Sequence, residues 1–139
     1  MAMYEKILVA IDESEAADRV LTAARELAAL AHGEIWILHL REREPSKFGT
    51  PATETSGEAQ AAVDTAVQKL AAAGVSAAGT VRDAIFGYAA REIVAEAKNR
   101  DAGVIVMGSR GRGDLAGLLM GSTAHKVLHL TDRPVLIVR

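Results

Sequence analysis

A chain of 139 residues fits one compact domain, spanning 1–139, and is too short for two nucleotide-binding halves plus a substrate domain. Its 16 Lys and Arg against 18 Asp and Glu leave a formal net charge of −2, which removes the electrostatic case for nucleic acid or an anionic membrane as the principal partner. Cysteine is absent, which excludes disulfides, thiolate chemistry and cysteine metal sites, and no run is long and apolar enough for a signal peptide or a membrane span, so the expected location is cytosolic.

Taken in chain order, short β-rich runs alternate with longer stretches of helical period. The first strand is expected at residues 7–11, followed by a helix carrying Ala17, Val20, Leu21, Ala24, Leu27 and Ala28 on one face. A second strand is expected at 35–40. Residues 41–56 are polar, charged and broken by Pro45, Gly49 and Pro51, and read as a long loop leaving that strand, either a flap over a ligand or a plain solvated connection. A second helix places Ala59, Ala62, Val63, Ala66, Val67 and Leu70 at helical spacing. The third strand, at about 75–82, has the weakest signal, because Ala77, Ala78 and Gly79 dilute its β-propensity. A helix with Ala89, Ile93, Val94 and Ala97, a strand at 104–107, a helix with Ala124, Val127 and Leu128, and a strand at 135–138 complete the series. Four of the five strands are nearly continuous apolar runs, as strands covered by helices on both faces must be. With right-handed crossovers, the alternation predicts an α/β fold with a doubly wound, open parallel sheet of five strands.

The segment between the fourth strand and the last helix carries the chemistry. Gly108-Ser109-Arg110-Gly111-Arg112-Gly113 follows Val104-Ile105-Val106-Met107, and Gly121-Ser122 opens a helix. Glycines where a strand ends let backbone N–H groups turn toward an anion, and a helix N-terminus supplies more, so two donor clusters bracket one phosphate-binding loop. Two other readings of these glycines fail. Gly108 and Gly113 have P-loop spacing, but Asp114 and Leu115 stand where a lysine and a hydroxyl residue are required. Gly111-Arg112-Gly113-Asp114-Leu115-Ala116 matches the dinucleotide fingerprint, yet it does not lie in a first βα turn, and the acidic Asp132 precedes the last strand instead of ending the next one.

The complete pattern is more specific: glycine, two residues, glycine, nine residues, then glycine and serine. It resembles the nucleotide-binding signature of the universal stress protein family. The resemblance covers nearly the whole chain, including Lys6-Ile7-Leu8-Val9-Ala10-Ile11-Asp12 with Ser14, His39-Leu40, Gly87, and Pro134-Val135-Leu136-Ile137-Val138. It implies strand order 3-2-1-4-5, an adenine-nucleotide α-hydrolase-like architecture, and ATP binding in the subgroup with intact glycines. Glu13 replaces a common glycine, Ala89 stands where proline is frequent, and extra residues are expected between the third strand and Gly87.

In the order that the resemblance implies, the topological switch point lies between strands one and four, so Asp12 and Gly108 face one crevice. Asp12 would accept hydrogen bonds from ribose hydroxyls or help hold a divalent ion; its other role is to cap the first helix, in competition with Ser14. Ala10, Ile11, Leu40 and Met107 would provide apolar walls and backbone groups for adenine, or serve simply as core. Two Phe, two Tyr and one Trp make aromatic stacking an unexpected mode of base binding. Gly108, Arg110, Gly111, Gly121, Ser122 and Thr123 are the phosphate candidates. No P-loop lysine is present, so neutralisation falls to amides, the helix dipole, a Mg2+ ion or Arg110 and Arg112, which are equally expected as solvated loop residues.

His125 and His129 stand at i and i+4 and could share a metal, but no third ligand is evident and a surface or packing role is favoured. His39, at the end of an apolar strand, is expected in the core. No nucleophile elbow occurs. The expected function is therefore adenine-nucleotide binding, with ATP as a structural or switching ligand in a stress response and any hydrolysis slow. The alternatives are a hydrolase or transferase on the same fold, disfavoured because Asp12-Glu13-Ser14 stands where a Ser-Gly-Gly-x-Asp-Ser loop is needed, and an interaction module that binds no nucleotide. The last strand, Val135–Val138, is an apolar edge in this order, so a homodimer is expected to form across it.

Overall fold

The computed structural model describes residues 3–12, 17–43, 55–109 and 120–139. The elements alternate strictly: β1 (Lys6–Ile11), α1 (Ala17–Ala31), β2 (Glu34–Arg43), α2 (Ser56–Ala72), β3 (Ala77–Ile85), α3 (Ala89–Asn99), β4 (Val104–Gly108), α4 (Ser122–Leu130) and β5 (Val135–Val138). All pairings are parallel and the sheet order is β3-β2-β1-β4-β5, as the sequence resemblance implies.

Why both faces are covered follows from β1 and β4. Ile7 through Ile11 are all buried, as are Val104 through Met107, so neither strand has a solvent face. On one side, Ile7, Val9, Ile11, Ile35, Ile37 and Val106 pack against Val20, Ala24 and Ala28 of α1 and Val63, Ala66 and Leu70 of α2. On the other, Leu8, Ala10, Leu38, Leu40, Ile105 and Met107 pack against Ala89, Ala90, Ile93 and Ala97 of α3 and Ala124 and Val127 of α4. The period-2 alternation of β1 thus divides its side chains between two cores, each large side chain contributing about 1.5–3 kcal/mol by burial. Helices α1 and α2 share one face and α3 and α4 the other, which is the doubly wound arrangement.

Three boundaries differ from the sequence expectation. β2 continues through Arg43 and β3 through Ile85, so residues 41–43 belong to the sheet and not to the expected loop, and Ser56 opens α2. The reason is a cross-strand ion pair: Arg41 lies opposite Asp83 in register, its Nε donates to Oδ1 at 2.8 Å and its Nη2 to Oδ2 at 3.2 Å. A forked pair of this kind lets polar residues enter a ladder that their composition alone argues against. The later end of β3 also removes the expected extra residues before Gly87, which follows Ile85 by a two-residue step and takes a positive φ of 93°. The remainder of the expected 41–56 loop, residues 44–54, lies outside the described residues.

Candidate functional site

The sheet reverses its direction of winding once, between β1 and β4, and the carboxyl ends of these strands open the crevice where open α/β sheets hold ligands. Ala10 and Met107 are direct neighbours there, paired across β1 and β4. Leu40 joins them from β2 in the same apolar cluster, so three of the four residues expected to line a base share one sheet face. Ile11 does not. Its side chain packs into the opposite core, against α1 and α2. Asp12 follows the last residue of β1 and is half-buried.

The two halves of the glycine motif meet. Gly108 ends β4 in register with Val138, Ser109 N–H donates to the Val138 carbonyl at 2.7 Å, and the N–H of Gly121 donates to the carbonyl of Ser109. These bonds close the base of the loop that runs between them. Ser109, which the sequence reading did not single out, is therefore the hinge pin of the motif: it is buried, and its backbone ties β5 on one side to the start of α4 on the other. A serine between two glycines carries no sequence signal for this role, because the bonds are made by its main chain.

That closure changes the role of Gly121. Its N–H is already donated to Ser109, so the donors left at the helix start are those of Ser122, Thr123 and Ala124, the first residues of α4, which have no acceptor within the helix. Gly121 is the N-cap, with φ −73° and ψ 167°, and its carbonyl accepts from His125 N–H at 3.1 Å. Among the described residues no side chain caps α4, whose positive dipole end lies beside the exposed Ser122 and the half-buried Thr123. Arg110, Gly111 and Arg112 lie outside the described residues.

The remaining polar groups of note are elsewhere. His39 is buried in β2 opposite Ile11, a core position as expected. Glu96 of α3 is buried, accepts from Trp36 Nε1 at 2.7 Å and from Arg82 Nη2 at 3.2 Å, and lies 3.8 Å from Arg100 Nε. Arg100 in turn covers the Trp36 ring, its guanidinium carbon 3.4 Å from the centroid. This cluster sits between α3 and the edge of the sheet and holds the helix in place, a role that a lone glutamate in a helical stretch did not reveal. Among the described residues, no group of three or more His, Cys, Asp or Glu side chains is placed to hold a metal ion, and no helix is long and apolar enough to cross a membrane.

Comparison with known proteins agrees with this architecture. The chain is 34% identical to a universal stress protein of Bacillus subtilis, with 99% of this chain and 100% of that one covered. A solved structure of a Methanocaldococcus jannaschii universal stress protein superposes with a TM-score of 0.80 at 25% identity, covering 98% of this chain and 96% of the other. A universal stress protein of Archaeoglobus fulgidus, solved in complex with dAMP, superposes with a TM-score of 0.72 at 26% identity over 99% of both chains. The model of the universal stress protein family matches residues 3–139, and with full-length relatives at this identity the chain belongs to that family.

Proposed function

We propose that this protein binds an adenine nucleotide, ATP first among them, with the base over Ala10, Leu40 and Met107 and the phosphates on the 108–122 loop. The observation that carries the reading is the closure of the glycine motif at the switch point, where Gly108 and Ser109 meet Gly121 and Ser122 beside the end of β1. Ser122 and Thr123 would take phosphate oxygens through amides and hydroxyls, joined by the amides of Gly108 and Gly111 and by Arg110. Asp12 would take the ribose hydroxyls, or share a Mg2+ ion with the phosphates. The dAMP complex of the Archaeoglobus relative supports the adenine and monophosphate parts of this assignment.

The set consists of amides, hydroxyls and the Arg110 guanidinium as donors with one carboxylate as acceptor, which holds a polyphosphate without attacking it. The nucleotide is accordingly a structural or switching ligand, and the protein acts as a homodimer joined through β5. Mass analysis of small molecules released on denaturing the purified protein, followed by calorimetric titration with ATP, ADP, AMP and GTP, tests the reading. Release of an adenine nucleotide and preference for ATP over GTP are expected. Absence of binding by every adenine nucleotide would overturn it, and rapid release of orthophosphate from ATP would replace the ligand role with that of a hydrolase.

A further inference from the structure

The exposed face of α4 brings the same ring nitrogen of two imidazoles together. His125 and His129 are one helical turn apart, both are solvent-exposed, and their Nε2 atoms are 3.2 Å from each other. The rings meet edge to face, with centroids 4.6 Å apart and planes at 72°. Edge-to-face packing alone does not require the same nitrogen of each ring to meet. Two roles do. In one, a single Nε2–H donates to the lone pair of the other ring. In the other, both lone pairs point at a cation, each ring keeping its proton on Nδ1.

The same geometry accommodates a cation. Metal–nitrogen bonds of about 2.0–2.1 Å that span the 3.2 Å separation enclose an angle of about 100–105°, close to tetrahedral. His129 lies in the last turn of α4, where the negative end of the helix dipole favours positive charge. Lys126, the nearest cationic side chain in sequence, is directed at the Gly87 carbonyl at 3.3 Å in the β3–α3 connection. Among the described residues, neither imidazole is held by a carboxylate that would compete for it. Imidazole pairs select borderline divalent ions over Mg2+ or Ca2+, which prefer oxygen.

We infer that His125 and His129 form a two-point chelating site for a divalent cation of the Zn2+, Ni2+ or Cu2+ class, with water completing the coordination. Neither histidine belongs to the proposed nucleotide-binding set, so metal binding should not require nucleotide. Because the chelate bridges one turn of a nine-residue helix, loading it stabilises the fold.

Calorimetry with Zn2+ alone on the nucleotide-free protein tests this. One Zn2+ per chain is expected, with a melting temperature that rises on addition of the metal. Loss of a second-sphere partner already costs about 10–100-fold in metal affinity, so removal of a ligand in His125→Ala or His129→Ala should cost at least as much. Both side chains are exposed, so neither substitution threatens folding. The double change His129→Leu with Leu130→His keeps the composition and breaks the spacing, and should lose binding equally. No saturable Zn2+ binding by the wild type, or undiminished affinity in either single variant or in the shifted pair, would overturn the site.

Discussion

The N–H of Gly121 donates to the carbonyl of Ser109, so two residues twelve apart in sequence close the base of the glycine loop. Gly121 has φ −73°, a backbone conformation open to any residue, so its missing side chain is not required by backbone strain. It is buried, and if the proposed binding mode holds, a Cβ and its branches there would take up phosphate space. Gly121→Val is expected to lower ATP affinity by at least ~tenfold, and Gly111→Val likewise, with an unchanged far-ultraviolet circular dichroism spectrum. Titration calorimetry on both variants checks this, and full affinity in both would remove the loop from the site.

Asp12 stands at the end of β1, next to the strand carrying Gly108. Asp12→Ala should weaken nucleotide binding by about 1–3 kcal/mol, the cost of leaving ligand hydroxyls or a bound ion without a charged partner. A lower melting temperature at constant affinity would instead assign Asp12 to capping α1.

β5 pairs with β4 alone and forms one edge of the sheet, and Leu136 at its centre is 39% exposed. Ile137, by contrast, packs toward the α3 and α4 core, so a charge at 137 would disturb the interior as well as the edge. Leu136→Lys is the cleaner test of a dimer across this strand. Light scattering at micromolar concentration should give a dimer for the wild type and a monomer for the variant; a monomeric wild type, or a dimeric variant, would refute the interface.

Glu96 is 3% exposed while its partners Arg82 and Arg100 are about half exposed, so its removal strands Trp36 Nε1–H more than it strands the arginines. Glu96→Ala should cost about 1–3 kcal/mol by urea denaturation, and Glu96→Gln, which keeps an acceptor for Trp36, clearly less. Equal losses in the two variants would show that charge pairing, and not the indole hydrogen bond, is the main contribution.

A Cβ built on Gly79 would come 2.7 Å from the Ile37 carbonyl and 2.9 Å from Cγ1 of Val63. Gly79, one of the small residues that make β3 the weakest strand in the sequence, is therefore what lets β2 and α2 lie close against it. Gly79→Ala should destabilise the fold by about 1–3 kcal/mol through overpacking, measured as a lower denaturation midpoint. An unchanged midpoint would mean that β2 and α2 can both give way at no cost.

The sequence by itself determined the alternation of strands and helices, the parallel sheet, and the span of the glycine motif, because apolar periodicity and glycine placement are local signals that tertiary context reinforces here. It did not determine where β2 and β3 end, since Arg41 and Asp83 look like loop residues until the register sets them side by side. Nor did it set Ile11 apart from Ala10, Leu40 and Met107: one residue of phase on a strand sends a side chain to the opposite core, and the packed helices show Ile11 in one core and the other three in the second. The closure through Ser109, the burial of Glu96 against Trp36 and the convergence of His125 and His129 were likewise decided by tertiary structure, because each depends on a distance or an angle in space that residue identity and spacing leave open.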